Sequence, residues 1–218
     1  MRKSIRRFVQ LSVEVLPIAE PIYEFGAFIV AGQEKIADVR SFFPGKQFYG
    51  ADIREGRGVD VILDLHRIDL PDESVGTVVV LDTLEHVEYC REAIDEVFRI
   101  LKPNGIFILS SVMNFPIHDY PSDYWRFTPQ GFRSLLQSFE TAYVDYEGDD
   151  KFPHTVIAVA VKGSLPQTQI DAYKKMILQW KKEQNTLTQR IKKIVRYVTP
   201  PLIVEGWYAL RKRINRII

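Results

Sequence analysis

Val78 to Leu81 is a run of four apolar residues without alternation, which predicts a short strand covered on both faces. From Arg91 to Leu101 the rhythm changes. Ile94, Val97, Phe98 and Leu101 are spaced by three and four, the period of a helix with one buried side. Pro103, Asn104 and Gly105 predict its end, and Ile106 to Val112 is again an apolar strand. Strand, polar crossover, helix, strand is the connection that a parallel pair needs.

The flanks extend the same alternation. Ser4 to Leu16 predicts a helix with Ile5, Phe8, Leu11 or Ser12, and Val15 on one side, ended by Pro17. Ile22 to Phe25 is a strand that runs into Gly26. Glu34 to Phe42 predicts a helix, and Gln47 to Ile53 and Val59 to Leu63 predict two more strands. Thr128 and Pro129 suit a helix start, and the helix is expected to reach Ser138. Thr141 to Tyr146 and Thr155 to Val161 read as a closing hairpin. The link from Asp52 to Val59 is too short for a crossover helix, which needs roughly a dozen residues. Either those two strands are not simple parallel neighbours, or a loop has replaced the helix. The second is the expectation here.

Beyond Leu165 the pattern is helical throughout. Ile170, Tyr173, Ile177, Trp180, Leu187, Ile191, Ile194 and Val198 form a narrow stripe, with Gln184 as a polar break. Pro200 and Pro201 end it. Ile203, Trp207, Leu210, Ile214 and Ile217 form a second stripe beside Arg211, Lys212, Arg213 and Arg216. The expected division is an N-terminal helix over 1–20, an α/β domain over 21–163 and a basic helical region over 164–218. The stripes suit a helix partner, including a second copy in a homodimer. They equally suit a lipid surface, with Trp207 and Leu210 dipping in and the arginines on headgroups.

Composition sharpens this only in part. An apolar share of 46% and a charged share of 26% over 218 residues are those of an ordinary soluble chain. One cysteine, Cys90, allows no internal disulfide and fits a reducing, cytoplasmic setting. No apolar run approaches the ~18 residues of a spanning helix. The basic opening resembles a signal peptide, but Gln10, Ser12 and Glu14 interrupt its apolar part. Charge is unevenly placed. Residues 162–218 hold 13 basic and 3 acidic groups, and residues 11–161 are left with a net charge of −13. Basic ends on an acidic body suit an anionic surface, such as the inner face of a membrane, or packing of the ends on the body itself.

Ligands of open parallel sheets sit beyond the carboxyl ends of the strands. Asp52, Asp64 and Asp82 fall there, and Glu85 and His86 follow. A carboxylate such as Asp52 accepts two hydrogen bonds and suits a vicinal diol. After the fifth strand, residues 113–128 crowd His118, Asp119, Tyr120, Asp123, Tyr124, Trp125 and Arg126 into a proline-interrupted loop. Such a loop is suited to bind or cover a substrate. His118 is the candidate base, because histidine titrates near neutrality, and Asp119 or Asp123 would orient it. Tyr124, Trp125 and Arg126 are the candidate substrate contacts. Histidines 66, 86, 118 and 154 lie far apart in sequence, so no metal site is expected. Neither a GxGxxG nor a Walker lysine motif occurs.

LDTLEHV followed by RILKPNG resembles the post-strand motif and helix-to-strand turn of class I S-adenosylmethionine (SAM)-dependent methyltransferases. DLHRIDLPDES at 64–74 is similar to that family's segment between strands three and four. The resemblance spans roughly Ile22 to Val161. DYWRFT at 123–128 resembles a subgroup associated with surface polysaccharides. The resemblance implies a seven-stranded, mostly parallel Rossmann-like sheet with an antiparallel last strand. It implies SAM as cofactor, held by Glu24, Gly26, Asp52, Ile53, Asp64, Leu65, Leu81 and Asp82. Gly26 is followed by Ala27 and Phe28, so the family's second glycine is missing. The implied activity is O-methylation of a small-molecule, glycan or lipid-linked acceptor. The alternative is a binding protein that kept the fold without turnover. The tetrapeptide of amino-group DNA methylation is replaced by LDTL, which argues against a nucleic-acid substrate.

Overall fold

The computed structural model describes residues 2–118 and 122–184. Asp119 and everything beyond residue 184, including most of the basic stripes, lie outside the described residues. The chain divides into two compact units, 1–174 and 175–218, and the first of them holds the whole sheet.

Seven strands form this sheet: β1 (Ile22–Phe25), β2 (Phe48–Asp52), β3 (Val61–Ile62), β4 (Val75–Leu81), β5 (Leu101–Val112), β6 (Thr141–Gly148) and β7 (Pro153–Val161). Their order is β3-β2-β1-β4-β5-β7-β6. The first five strands run parallel, and β7 is antiparallel to both β5 and β6. This is the seven-stranded, mostly parallel Rossmann-like sheet that the resemblance implies. β4 is buried at every position, as its lack of alternation predicts.

The helices are α1 (Lys3–Val15), α2 (Glu34–Ala37), α3 (Cys90–Ile100), α4 (Pro129–Leu135) and α5 (Gln167–Gln184). α3 buries Ala93, Ile94, Val97 and Ile100, the face that the three-four spacing marks. Thr128 caps α4, its hydroxyl accepting from Gly131 N at 3.0 Å. α1 buries Ile5, Phe8, Val9 and Leu11. Its Ser12 Oγ lies 3.1 Å from the hydroxyl of Tyr173, and Gln169 Nε2 donates to Val15 O at 3.0 Å, so the start of α5 is tied to α1.

Besides α4, which ends at Leu135 short of the expected Ser138, three elements differ from the expected ones. The helix expected over 34–42 is split into α2 and a separate 3-10 turn at Arg40–Phe42. The break comes at Asp38, whose carboxylate accepts from Arg40 N at 2.8 Å, a side-chain turn that competes with helix. Pro103 and Asn104 do end α3, but β5 takes them in from Leu101 onward. Asn104 has φ +63°, and its N–H donates to Lys162 O at 2.7 Å. The third is β3, which shrinks to two residues.

No helix links β2 to β3, and the two strands are parallel neighbours joined by a loop over 53–60. Asp60 fixes that loop: its N–H donates to Gly50 O at 2.7 Å, and its carboxylate accepts from Gly50 N at 2.7 Å and from Arg40 at 2.5 Å. Gly50 allows this approach, because a Cβ there would collide with the carbonyl of Gly58. Among the described residues no helix is long and apolar enough to cross a membrane.

Candidate functional site

The carboxyl ends of β1, β2, β3 and β4 surround a cavity of about 250 Å³. It opens where the strand order reverses between β1 and β4, the usual ligand crevice of such sheets. Gly26, Asp52, Asp64 and Asp82 all line it, as do Ile53 and Leu65. Four strand ends thus bring together residues that are far apart in sequence.

Each strand end has its own local reason. Gly26 turns with φ +82°, and a Cβ there would collide with the side chain of Thr83. Only glycine lets the end of β1 press against the end of β4 in this way. Asp82 is left-handed too, at φ +46°, and its carboxylate accepts from Ser110 Oγ at 3.0 Å. A non-glycine residue in that region is uncommon and is held by its surroundings. Asp64 accepts from His66 N at 2.9 Å and pairs with His66 Nδ1 at 2.8 Å.

Asp52 is buried and already engaged. Its carboxylate accepts from Phe28 N at 3.2 Å and from Arg54 N and Nε, each at 3.0 Å. Arg54 in turn lies over the Phe28 ring, 4.2 Å from its centroid. Phe28, Arg54, His66 and Thr83 line the cavity without standing out in the sequence. Arg54 and His66 each stand two residues after an acid at a strand end, the one local signal that points to them.

Two expected cofactor contacts lie elsewhere. Leu81 is buried in β4 and is not part of the cavity wall. Glu24 is buried and is not part of the cavity wall either; its charged neighbours are Asp38, Arg40 and Arg6, and burial raises its carboxyl to about 8.

A second cluster adjoins the cavity at the end of β4. A 3-10 turn at Leu84–His86 carries Glu85 and His86. The loop from residue 113 is strapped to it by backbone bonds: Tyr124 N and Trp125 N both donate to Glu85 O, at 2.8 and 3.2 Å. The Trp125 indole donates to Val87 O at 3.0 Å. Asp123 accepts from both terminal nitrogens of Arg126, at 2.5 and 2.7 Å, and from His118 N at 2.8 Å. That guanidinium holds Asp123 well below the usual carboxylate range.

His86 lines the cavity, and its Nδ1 lies 2.6 Å from Ser122 O. Burial pushes its pKa down, which favours the neutral ring. His118 meets it edge-on, with ring centroids 4.7 Å apart. His118 Nδ1 is 3.2 Å from Asp123 Oδ2, so the expected histidine and one of its two expected partners are adjacent. Glu85 is fully buried, and its Oε2 accepts from Ser111 Oγ at 2.6 Å. Burial, with Asp82 nearby, raises its carboxyl to about 7. Tyr124 and Trp125 are half exposed, and neither lines the cavity. Trp125 instead faces an apolar groove of about 440 Å³ between α3 and α4, with Tyr89, Phe127 and Leu135.

Known proteins place this arrangement. Residues 37–109 match the family described as methyltransferase domain. A protein of Mycolicibacterium smegmatis (strain ATCC 700084 / mc(2)155), named a probable S-adenosylmethionine-dependent methyltransferase, is 30% identical over 115 residues. The match covers 51% of this chain and 40% of that relative, so the chain spans less than half the relative's length. A SAM-dependent methyltransferase from Archaeoglobus fulgidus has the same fold, with a TM-score of 0.55 at 13% identity over 74% of this chain and 95% of that one. So does the [4+2]-cyclase SpnF, with a TM-score of 0.54 at 13% identity over 73% and 82%. Residues 37–109 are thus similar to a methyltransferase domain, the fold is one that SAM-dependent methyltransferases share, and these likenesses support SAM as the cofactor. The glycine-lined approach at Gly26 and the acids at three strand ends fit that cofactor.

Proposed function

We propose that this chain transfers a methyl group from SAM to a hydroxyl oxygen of a small-molecule, glycan or lipid-linked acceptor. The observation that carries the reading is the cavity at four strand ends, with the His86–His118 pair against its β4 side.

Bound SAM supplies an electrophilic methyl group. The chain's own residues supply position and proton transfer. Asp52 accepts from the ribose hydroxyls, Asp64 from the adenine amine beside Leu65, and Asp82 from the ammonium. His118 takes the proton from the acceptor hydroxyl, and Asp123 steadies the imidazolium that forms. Arg126 fixes Asp123 rather than touching the acceptor. Tyr124 offers an exposed ring for a sugar face. The basic charge of residues 162–218 supports work at an anionic surface, such as the inner face of a membrane.

One observation favours a second reading. Asp52 is occupied by Arg54 and Phe28, which suits a fold that has kept its cavity and lost turnover. Calorimetric titration with SAM, followed by release of S-adenosylhomocysteine over a panel of glycan and lipid-linked hydroxyl acceptors, separates the two. Micromolar binding with acceptor-dependent release supports the enzyme. No heat at millimolar SAM ends that reading.

A further inference from the structure

We propose that Glu85, His86 and His118 form a binding site for one divalent transition-metal cation of the zinc type. One donor atom from each of these side chains lies within 4.8 Å of the other two. What marks the group as more than a chance cluster is that the remaining polar atom of each side chain is already held, which leaves one donor apiece.

Glu85 Oε2 takes the hydroxyl of Ser111, while Oε1 accepts no hydrogen bond from any described residue, although the side chain is fully buried. An unsatisfied buried oxygen of this kind costs about 1–3 kcal/mol and calls for a partner. His86 Nδ1 donates to Ser122 O at 2.6 Å, so Nε2 presents the lone pair. His118 is held in the same sense, with Nδ1 at 3.2 Å from both Pro116 O and Asp123 Oδ2. Imidazoles whose far nitrogen is fixed by a carbonyl or carboxylate are oriented as metal ligands are. The nearby guanidinium of Arg126 is neutralised by its two bonds to Asp123.

Two imidazoles and one carboxylate match zinc in both ligand type and number, and they leave a fourth position open. Metal bonds of ~2.0–2.1 Å draw the donors together, and the His118 ring, 38% exposed, has room to turn. The open position adjoins His86, which lines the cavity. An acceptor oxygen bound there would release its proton to solvent more readily, and His118 would then serve as a ligand instead of the base. The site itself stands on the side-chain geometry and does not depend on methyl transfer.

The test is titration of the metal-free, tag-free full chain with Co2+, followed by visible absorption, then displacement by Zn2+ in a calorimeter, with no SAM or acceptor present. One Co2+ per chain with intense four- or five-coordinate bands is expected. His86→Ala, His118→Ala and Glu85→Gln should each weaken binding by about 100-fold, and Ser111→Ala by about 10-fold. His154→Ala, which lies outside the cluster, should bind as the parent does. Circular dichroism establishes that each variant is folded. Absence of Co2+ bands at millimolar metal would overturn the proposal. So would parent-like binding in His86→Ala and His118→Ala.

Discussion

The guanidinium of Arg54 sits on the carboxylate of Asp52, Nε to Oδ1 at 3.0 Å, at the rim where a nucleoside would bind. Ribose hydroxyls must share that carboxylate with Arg54 and with two backbone N–H groups. Asp52→Ala should therefore weaken SAM binding by about 10- to 100-fold, the loss expected for hydrogen bonds to a charged group. Arg54→Ala should tighten binding by no more than about fivefold, since a partly exposed ion pair is worth at most about 1 kcal/mol. Calorimetry on both variants reads the difference. Unchanged affinity in Asp52→Ala would remove the ribose role.

Gly26 and Thr83 meet where β1 and β4 end, and a side chain at 26 has neither the space nor the φ it needs. Gly26→Ala should cost about 2 kcal/mol or more from the left-handed backbone alone. That corresponds to a thermal midpoint lowered by about 4–8 °C. Thr83→Ala added to it should recover part of the loss, because the nearest clashing atoms are those of the threonine hydroxyl and methyl. Thermal melts of the three variants decide this.

Glu24 gives a pH prediction with a definite sign. Its folded pKa is raised to about 8, above its value of 4.5 in an unfolded chain. Between those values the folded protein keeps the proton and the unfolded chain has released it. Stability is therefore lost as pH rises through that window, by about 1.4 kcal/mol per pH unit for one proton. Glu24→Gln should match the parent near pH 4.5 and exceed it progressively up to pH 8. Urea melts at several pH values read the slope, and parallel curves would reject it.

Cys90 is buried with Sγ toward Leu84 O and Val87 O, and burial pushes its thiol up to about 12. The thiolate is the reactive form. Native protein should resist an aromatic disulfide reagent at pH 8 and react promptly in denaturant. Fast labelling of the native protein would contradict the burial.

The parts legible in the sequence are those set by local pattern. The apolar run at Val78–Leu81, the α3 spacing and the Thr128 cap each carry their own physical signal and form as expected. The short link after Asp52 likewise excludes a helix by length alone. The rim acids are legible because strand ends are legible. Arg54 on Asp52 is not, since an exposed REGRG loop says nothing about which way its arginine folds. The Glu85–His86–His118 grouping is further out of reach. His86 and His118 are separated by a helix and a strand, and they meet only because backbone bonds to Glu85 O fold the 122–126 segment onto the end of β4. Glu24 stands two residues before Gly26 yet does not line the cavity, and its charged neighbours, Arg6, Asp38 and Arg40, come from segments that the sequence does not bring to it.

That strapping of residues 122–126 to the turn after β4 has a wider bearing. A segment clamped through its main chain cannot swing aside as a unit. If the loop holds the acceptor as proposed, tolerance for different acceptors comes from exchanging individual exposed side chains such as Tyr124. Directed evolution of acceptor range should accumulate its changes at those outward positions, while the clamp itself stays fixed.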